Sequence, residues 1–581
     1  MLQSACRVVS VGVALASLQL LTVSAQSPAP AAQPTHKHYE HSDLANRPGP
    51  KGELAPRLQN LGTHTFPVST SSPEAQLFMN QGLNLAYAFN HAEAGRAFRE
   101  AARLDPDLAM AYWGQALVLG PNINAAMESA EEPHAYELVQ LARAKLAGAA
   151  PRDRGLIAAL AWRYAGRADE RTANDRAYAD AMRDVHRQFP DDPDIATLYV
   201  ESMMDLRPWG YWMPDGSPHA GTAEIVALTE DIIRRHPTHP GALHLYIQLV
   251  EPTATPERAE RAADTLLTLM PAAGHMVHMP SHIYQRVGRY ADAIRSNELA
   301  IAADEDYITQ CRAQGLYPMG YYPHNIHFLW FAAAADGQGS VAVDTARTLA
   351  SKIDDDLLPE LPMLAAFRVV PYWALTRFGR WEEMLREPEP PATSAFLRGG
   401  WHYARGLALV ATGRIAEAEQ ELRRLEDLMP DPALDAPLFS PNTARAVLAI
   451  GPHVLGGEIA AARGDFDTAV TRLERAVRLE DALVYTEPAE WQAAPRLTLG
   501  AILLEADRAP EAETVYWEDL RRNRENGWAL FGLLQALQAQ GKSDEAAVVH
   551  ARFEQAWQRA DVTLPASRFG RLRTAEPHAL R

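Results

Sequence analysis

A glycine followed five residues later by an alanine recurs along this chain and marks a repeated unit. Four such pairs occur: Gly288/Ala293, Gly413/Ala418, Gly464/Ala469 and Gly541/Ala546. A small residue often stands seven positions before the glycine: Ser281, Gly406 and Gly457. From about Ser72 onward, apolar residues recur at helical spacing almost without a break, and strand patterns are scarce. Because glycine ends a helix in a tight turn and small residues let helices approach closely, the pattern predicts a series of helical hairpins.

This pattern resembles the tetratricopeptide repeat (TPR), a helical hairpin of about 34 residues. The resemblance implies an all-α fold, a TPR-like right-handed α-solenoid of about ten hairpins between Ser72 and Ala560. We expect N-terminal hairpins over 58–192, central hairpins over 193–355 and C-terminal hairpins over 356–560.

One segment interrupts the predicted array. Met203–Thr222 is rich in proline, glycine and tryptophan, which predicts a long non-helical connection. Such an aromatic connection is either a lid or pocket wall, or a packed connector, and the sequence favours neither.

The two ends of the chain differ from the repeats. One basic residue precedes an apolar run from Val8 to about Leu21, which predicts a signal peptide over 1–25 and a periplasmic or secreted protein. Residues 26–57 are dominated by proline, alanine and polar side chains, which predicts a disordered linker. The last segment, 561–581, is predicted to be a tail.

Composition narrows the function classes. The chain is 47% hydrophobic, and 73 acidic against 55 basic residues give a formal charge of −18 without any acidic tail. Nucleic-acid binders need a basic stripe for the phosphates, so we expect no nucleic-acid partner. No stretch after the signal reaches the ~20 apolar residues of a membrane-spanning helix. The predicted mature chain holds a single cysteine, Cys311, so no intramolecular disulfide is expected.

Histidines cluster in the central third of the chain. Eight of the twenty lie between His236 and His327, and two His-x-x-His pairs occur, His275/His278 and His324/His327. When the hairpins are aligned by their glycine, alanine or terminal proline, both pairs fall at positions 2 and 5 of the first helix, and His282 falls at position 9. At ~100° per residue these positions lie within ~60° of one another and form one stripe.

In the tetratricopeptide family, positions 2, 5, 9 and 12 of the first helix face the concave groove. The resemblance therefore places histidines of neighbouring hairpins on one inner surface, where packed helices ~10 Å apart let imidazoles converge on one ion. The predicted metal ligands are His244, His275, His278, His282, His324 and His327. The predicted catalytic residues, each a ligand or general base, are Glu251 and Glu201. For each histidine the alternative is a hydrogen-bonded core residue.

Further features accompany the stripe. Pro280 lies inside a predicted helix and should kink it. Aromatic residues near the stripe are predicted to line a substrate pocket: Trp209, Trp212, Tyr321 and Tyr322. Histidine with carboxylate and without cysteine suits copper or zinc, and iron or manganese is also compatible. The chain contains no His-Glu-x-x-His, Cys-x-x-Cys-His or Gly-x-Ser-x-Gly motif and no phosphate-binding glycine loop, which argues against zincins, c-type haem proteins, serine hydrolases and nucleotide enzymes.

Specific stretches go beyond the generic repeat. They are Phe89–Ala94, Ala111–Gly114, Gly120–Asn124, His239–Gly241, His278–Tyr284, Tyr322–Phe328, Tyr485–Pro488 and Asn526–Trp528. On these the chain resembles a group of exported bacterial tetratricopeptide proteins across nearly all of its mature length. The resemblance implies the fold and no settled activity. In that group the position of Gln248 is commonly histidine, and this chain departs from the pattern there.

Three functions are compatible with these features. The first is a metal-dependent enzyme, an oxidase (oxidoreductase) or a hydrolase, acting on a small-molecule or peptide ligand in the groove. The second is a module that binds a peptide or protein partner without catalysis, which is the usual role of this repeat. The third is metal storage or delivery, for which His36, His38 and His41 of the linker would also matter.

Overall fold

A computed structural model describes residues 48–49, 52–167, 170–311, 317–439 and 441–570, and these are helical almost throughout. Within those ranges the only β-type pairings are three isolated bridges, Asn122/Ala125, Trp212/Pro218 and Pro437/Thr443. The all-α prediction is confirmed. The predicted signal peptide and linker residues 26–47 lie outside the described residues.

The described ranges contain 27 α-helices. The first thirteen are α1 (Pro73–Tyr87), α2 (His91–Leu104), α3 (Ala109–Leu119), α4 (Glu132–Ala144), α5 (Pro151–Leu160), α6 (Arg171–Gln188), α7 (Pro193–Met204), α8 (Thr222–Arg235), α9 (Pro240–Val250), α10 (Glu260–Leu266), α11 (Gly274–His278), α12 (Pro280–Val287) and α13 (Tyr290–Cys311). The others are α14 (Tyr322–Ala335), α15 (Gly339–Ser351), α16 (Ala365–Arg368), α17 (Val370–Arg377), α18 (Trp381–Arg386), α19 (Ala395–Ala411), α20 (Ile415–Leu428), α21 (Ala444–Leu448), α22 (Ile450–Ala462), α23 (Phe466–Asp481), α24 (Pro495–Glu505), α25 (Ala509–Arg522), α26 (Gly527–Ala539) and α27 (Ser543–Trp557).

Consecutive helices pack against each other and form a TPR-like array of hairpins. Three helical rods are each broken once, where α11 meets α12, α16 meets α17 and α21 meets α22, so the 27 helices make 24 rods. These pair into twelve hairpins, from α1/α2 to α26/α27, close to the ten or so predicted. Each hairpin buries its apolar face against the next, which gives one continuous core along the array.

The glycine–alanine pattern has the predicted structural role. Four glycines follow the first helix of a hairpin with φ between 71° and 84°: Gly288, Gly413, Gly464 and Gly541. This left-handed conformation favours glycine because it lacks a Cβ. The paired alanines are buried, three of them completely. At Gly406 a Cβ would stand 2.5 Å from Leu455, which explains the small residue at that position.

The predicted distortion at Pro280 is also present. Proline has no backbone N–H, so the helical rod is interrupted at Met279, between the end of α11 and the start of α12. Met279 keeps right-handed helical angles, φ −51° and ψ −36°. The rod therefore continues in nearly the same direction across the break, and residues four apart still share a face.

Two predicted flexible segments are partly packed. Residues 52–57 belong to the predicted linker, yet Ala55 is buried and the Leu54 amide donates to Glu100 Oε2 at 2.8 Å. Residues 561–570 belong to the predicted tail, yet Ser567 is fully buried. Both segments lack helical periodicity, yet these parts of them pack on helices distant in sequence. Residues 571–581 lie outside the described part of the chain.

Hairpins far apart in sequence also touch. Trp528 of α26 donates through Nε1 to the Ala334 carbonyl at the end of α14, at 2.9 Å. Near the other end, Asn124 Nδ2 donates to the Tyr321 hydroxyl at 3.3 Å, so the α3–α4 connection contacts the segment before α14. The inner faces of the central hairpins are therefore covered by other parts of the array rather than lining an open groove. Among the described helices, none combines the length and apolar character needed to cross a membrane.

Candidate metal centre

Three imidazoles meet in the middle of the array. His278 ends α11 and His282 lies in the first turn of α12, so the two are four residues apart on one face of the broken rod. His324 lies in the first turn of α14, in the next hairpin. One ring nitrogen from each residue lies within 4.8 Å of the others. The predicted convergence of histidines from neighbouring hairpins is present for these three.

The hydrogen-bond partners of His278 and His282 influence which ring nitrogen carries the proton. His278 Nδ1 lies 2.6 Å from Asn297 Oδ1, and the Asn297 amide group donates to the Ala293 carbonyl, so Oδ1 is the acceptor. His282 Nδ1 lies 2.5 Å from Glu251 Oε2. His278 Nδ1 therefore donates to Asn297, and its Nε2 presents a lone pair. When Glu251 is ionised, His282 Nδ1 donates to it in the same way and His282 Nε2 also presents a lone pair. When Glu251 carries the proton, His282 Nε2–H donates to His278 Nε2 instead. These two Nε2 atoms are 2.9 Å apart.

Two lone pairs at this distance repel each other unless a cation lies between or beside them. In a tetrahedral site with metal–nitrogen bonds of about 2.0–2.1 Å, neighbouring ligand atoms are about 3.3 Å apart. The observed separation needs only a small side-chain movement to reach that value. The facing Nε2 atoms and the nearby ring nitrogen of His324 therefore match the donor arrangement of a nitrogen-rich metal site.

Two carboxylates flank the opposite side of the His282 ring. Glu251 follows α9 directly, and Glu487 lies in the segment between α23 and α24. The Nδ1 atom of His282 is 2.5 Å from Glu251 Oε2 and 3.2 Å from Glu487 Oε2. A carboxylate behind a metal-binding imidazole orients the ring and increases its basicity. Glu251 thus occupies the predicted neighbourhood of the histidines, in a supporting position behind His282.

Burial makes both carboxyl groups hard to ionise on their own. It raises the pKa of Glu251 well above its ordinary value. For Glu487, burial and then the charge of Glu251 raise the pKa to about 7, against a smaller lowering by His282 and Arg286. Two buried acids this close favour sharing a proton unless positive charge is added nearby.

Glu487 was missed by the sequence interpretation. Its four-residue stretch, Tyr485–Pro488, was recognised as specific but received no role in the site. The residue lies outside any helix and more than 200 positions after His282, so helical register could not connect the two. The one signal was an acid inside an aromatic, proline-containing segment between two hairpins.

Three predicted ligands lie outside the cluster. His244 uses both ring nitrogens: Nδ1 donates to the Tyr87 carbonyl at 2.7 Å, and Nε2 faces the Gln248 amide at 3.3 Å. Burial lowers the pKa of His244 to about 4, so it is a neutral core residue near pH 7. Gln248 therefore supports His244 and takes no place in the cluster.

His275 and His327 border the cluster on two sides. The His275 ring lies 4.9 Å from His244 and 5.9 Å from His278, centroid to centroid, and neither of its nitrogens has a partner among the described residues. His327 lies one turn beyond His324 on α14, stacks on Trp330 and faces Gln492 at 3.3 Å. Burial lowers the pKa of His327 to about 3.

The second predicted catalytic acid lies elsewhere. Glu201 on α7 is near Asp205 and Arg163, and it lines a cavity of about 10 Å³ with no stripe histidine on its wall. Burial and then the charge of Asp205 raise the pKa of Glu201 to about 8. The register argument used only the face of each helix and could not show how far α7 lies from α11.

The predicted substrate-binding aromatics divide into two groups. Trp212 donates to the Leu249 carbonyl at 2.8 Å, two residues before Glu251, and neighbouring Trp209 belongs to the same non-helical connection. This contact favours the interpretation of the Met203–Thr222 segment as a packed connector rather than a lid. Tyr321 contacts the His275 ring at 4.8 Å, whereas the Tyr322 hydroxyl donates to Glu305 at 2.8 Å, so neither tyrosine contacts the three-histidine cluster.

A second group of potential ligands serves a different purpose. His239 Nδ1 accepts from the Ala242 amide at the start of α9, so its Nε2–H donates to Asp194 Oδ1 at 3.1 Å. The same oxygen contacts His64 and accepts from the Tyr87 hydroxyl at 2.8 Å. This His64–Asp194–His239 hub has its donors satisfied internally and ties four segments together, which is a structural role.

Comparisons with known proteins add little to this description. No protein-family model matches the chain, and no curated protein sequence matches it. Solved structures share 12–13% identity with it. A human IFIT1 dimer with PPP-AAAA covers 84% of this chain and 92% of its own, with a TM-score of 0.29. The Cut9–Hcn1 hetero-tetramer of APC/C covers 71% and 80%, with a TM-score of 0.29.

A monomeric IFIT1 mutant with m7Gppp-AAAA has 13% identity, covers 77% of this chain and 90% of its own, and has a TM-score of 0.33. TM-scores and sequence identities this low say nothing about the ligand or the activity of this chain. The helical-repeat assignment rests on the hairpins and contacts of the chain itself, and its place in a group of exported bacterial proteins stays a prediction.

Proposed function

We propose that this chain is a metalloprotein in which Nε2 of His278, Nε2 of His282 and a ring nitrogen of His324 bind one transition-metal ion. The observation that carries the proposal is the convergence of three ring nitrogens within 4.8 Å of one another, with the Nε2 atoms of His278 and His282 2.9 Å apart and the Nδ1 atom of each in contact with a partner from another part of the chain. At His244, in contrast, the Gln248 amide lies 3.3 Å from Nε2, as in a hydrogen-bonded core.

The charge balance of the site supports this assignment. A divalent ion would add positive charge beside two acids, Glu251 and Glu487, that burial otherwise makes difficult to ionise. With the ion present, the carboxylates can be charged and hold the proton of His282 at Nδ1. Ion, imidazole and carboxylates then stabilise one another, as in other carboxylate–histidine–metal arrangements.

The donor set favours zinc or copper, since neutral imidazoles suit both ions. Iron and manganese fit less well because they more often take a carboxylate ligand directly, and here the carboxylates lie behind His282. We therefore rank copper and zinc first, as the sequence does.

Three protein ligands leave a coordination position for water or substrate, which is typical of catalytic rather than structural sites. His324 is the one ligand that is partly exposed, so this side of the site is the route of access. When bound, zinc would supply Lewis acidity for a hydrolase and copper a redox centre for an oxidase. We propose a metal-dependent enzyme of one of these classes.

The alternatives draw less support. A peptide- or protein-binding function through the stripe would need accessible histidines, but His275, His278 and His282 are at most 3% exposed. The repeat scaffold is still one that suits protein or ligand binding through other surfaces. Storage or delivery would need several exchangeable ions, whereas the cluster has donors for one, and the linker histidines lie outside the described residues.

Metal analysis tests the proposal directly. The chain is purified without a histidine tag, and its metal content is measured by mass spectrometry before and after reloading with zinc or copper. We expect one equivalent of one metal per chain. Less than about a tenth of an equivalent, with no tight rebinding, would refute the metal site.

A matched pair of variants separates loss of a ligand from loss of folding. His282→Gln removes a proposed ligand and should abolish the bound ion. His402→Gln changes a similarly buried histidine whose Nδ1 lies 2.6 Å from Glu421, outside the cluster, and should keep one equivalent. Equal metal content in the two variants would contradict the assignment.

Export is proposed on the sequence of residues 1–25 alone. Fractionation of cells producing the full chain, followed by mass determination of the mature protein, tests it. A chain that retains its first 25 residues in the cytoplasm would be inconsistent with a cleaved signal peptide.

A further inference from the structure

A cavity of about 80 Å³ lies beside the candidate metal centre and takes no part in it. Its walls come from α14, α17, α19 and the segment that precedes α24. Aromatic side chains dominate the lining, among them Trp330, Trp373, Tyr403 and Trp491. This volume is about half that of a cavity that holds benzene, so it fits a ligand of only a few carbon atoms.

Three of the lining side chains carry donors that bond to nothing. The indole Nε1–H groups of Trp330, Trp373 and Trp491 have no hydrogen-bond partner among the described residues. The three residues are 1%, 6% and 4% exposed, so bulk water does not satisfy them either. A buried donor without an acceptor is costly, and the residues that carry these three donors all line the one cavity.

Arg377 adds a cation to the same wall. Its guanidinium stacks on Trp528, with Cζ 4.0 Å from the ring centroid, and it makes no hydrogen bond and no ion pair among the described residues. Stacking covers one face of the guanidinium and leaves the N–H groups in its plane free, which is the geometry that binds a carboxylate through two parallel hydrogen bonds. Burial lowers the pKa of Arg377 to about 10, so it stays charged near neutral pH.

The acidic side chains near this cavity already accept hydrogen bonds from other residues. Glu480 accepts from Arg496 Nη1 at 3.2 Å. Asp519, whose charge acts on Arg377, accepts from Asn523 and Asn526 at 3.1 and 3.2 Å. The unsatisfied groups that remain are therefore predominantly donors.

From these features we propose that the cavity is a binding site for a short-chain organic carboxylate, with the carboxylate on Arg377 and the hydrocarbon part among the indole rings. The N–H groups of the Arg377 guanidinium select the anionic end, and aromatic walls with a small volume select a short apolar tail. None of the three proposed metal-binding histidines lines this cavity, so the carboxylate site is distinct from the metal site.

The position of the cavity links it to the metal centre. Helix α14 carries His324 in its first turn and Trp330 six residues later, a rise of about 9 Å. The segment before α24 carries both Glu487 and Trp491. The cavity and the proposed metal centre therefore share walls from α14 and from the segment before α24.

Butyrate and butyramide provide the test, because they have nearly the same shape and differ in charge. Each is titrated into the full chain, once metal-loaded and once chelator-treated, with tryptophan fluorescence and saturation-transfer NMR as readouts. We expect butyrate to bind with a Kd of about 1 mM or tighter and butyramide at least about tenfold more weakly. Equal responses to the two, or no response to butyrate at about 20 mM, would overturn the proposal.

Variants locate the binding. Arg377→Gln should remove the preference for butyrate over butyramide, and Arg377→Lys should keep part of it. Arg405→Gln is the control, because Arg405 also lies over a tryptophan, at 5.3 Å from the Trp401 ring, but lines no part of this cavity. An unchanged preference in Arg377→Gln, or an equal loss in Arg405→Gln, would contradict the site. Butyrate binding to chelator-treated protein keeps this result separate from the fate of the metal proposal.

Discussion

At the scale of single residues, the candidate site depends on where two protons sit. Periodicity predicted that His278 and His282 share a face, since both lie on one helical stripe. It could not predict that Asn297 and Glu251 would each lie against an Nδ1 atom, because those contacts come from other parts of the chain. The same limit explains why His244 was predicted as a ligand: its partners, the Tyr87 carbonyl and Gln248, are visible only in three dimensions.

The acceptor behind His278 should control metal affinity. Asn297→Ala removes the oxygen that holds the proton at Nδ1, so the ring is free to present the wrong nitrogen. We expect metal affinity to fall by about ten- to a hundredfold, the usual effect of losing such a support. Asn297→Asp keeps an acceptor for Nδ1, so this variant should bind the metal nearly as tightly as the parent does. Competition with a chromophoric chelator measures both, and equal affinity of the parent and the alanine variant would contradict the role.

The Asp194 hub predicts a pH-dependent contribution to stability. Burial alone would raise the pKa of Asp194, but hydrogen bonds from His239 and His64 outweigh burial and hold the pKa below its ordinary value. A carboxyl group with a depressed pKa stabilises the fold above its unfolded pKa of about 3.9 and loses this contribution as the pH falls below that value.

Asp194→Asn should therefore lower the free energy of unfolding by about 2–3 kcal/mol at pH 7, and the difference from the parent should shrink below about pH 4. Urea unfolding across this pH range measures it. Asp231→Asn, which removes an exposed ion pair with Arg235, should cost less than about 1 kcal/mol. A constant difference between pH 7 and pH 3 in the Asp194 variant would speak against the assignment.

At the scale of helices, the repeat register predicted much of the fold and part of the site. The glycine–alanine offset located the hairpin turns, and positions 5 and 9 of one hairpin gave His278 and His282. Register describes the faces of a helix but not its rotation relative to the next hairpin. This is why His324 joins the cluster while His327, one turn away, faces Gln492 instead.

The start of α11 should be sensitive to a single added carbon. A Cβ at Gly274 would overlap the carboxylate of Asp304, which accepts from Tyr317 and Asn325 at 2.9 and 2.7 Å. Gly274→Ala must therefore displace the segment that carries His278. We expect a loss of stability above about 2 kcal/mol together with weaker metal binding.

Gly464→Ala is the matched control. Gly464 has φ 81° and open space around a built Cβ, so only the backbone cost of about 1 kcal/mol is expected, with metal binding unchanged. Thermal unfolding and metal titration of both variants measure the contrast. If Gly464→Ala were the more damaging of the two, the packing argument at Gly274 would fail.

At the scale of the whole described unit, distant hairpins close over the central ones. The sequence predicted an open groove, because each hairpin was interpreted only against its neighbours. Contacts such as Trp528 with Ala334 and Asn124 with Tyr321 join elements about 200 residues apart. Helical periodicity has no information about such contacts, so neither Glu487 nor the burial of the histidines could be predicted.

The segment after α27 should contribute to this closure. Asp561 accepts from the amides of Gly339 and Ser340 at the start of α15, at 2.6 and 2.9 Å, and Arg559 pairs with Asp336. A chain truncated after residue 557 should unfold several degrees below the parent, because it loses a helix cap and an ion pair together. A chain truncated after residue 570 keeps these contacts and should unfold close to the parent temperature. Equal melting of the two truncations would show that the segment is dispensable.

The distance in sequence between Glu487 and the histidines orders the events of biosynthesis. Glu487 emerges 163 positions after His324, which at 5–20 residues per second corresponds to roughly ten to thirty seconds of translation. During that interval the nascent polypeptide carries all three imidazoles without one of the two acids that flank His282. The metal ion proposed above would therefore meet an incomplete set of charges on the growing chain and the full set only on the finished one.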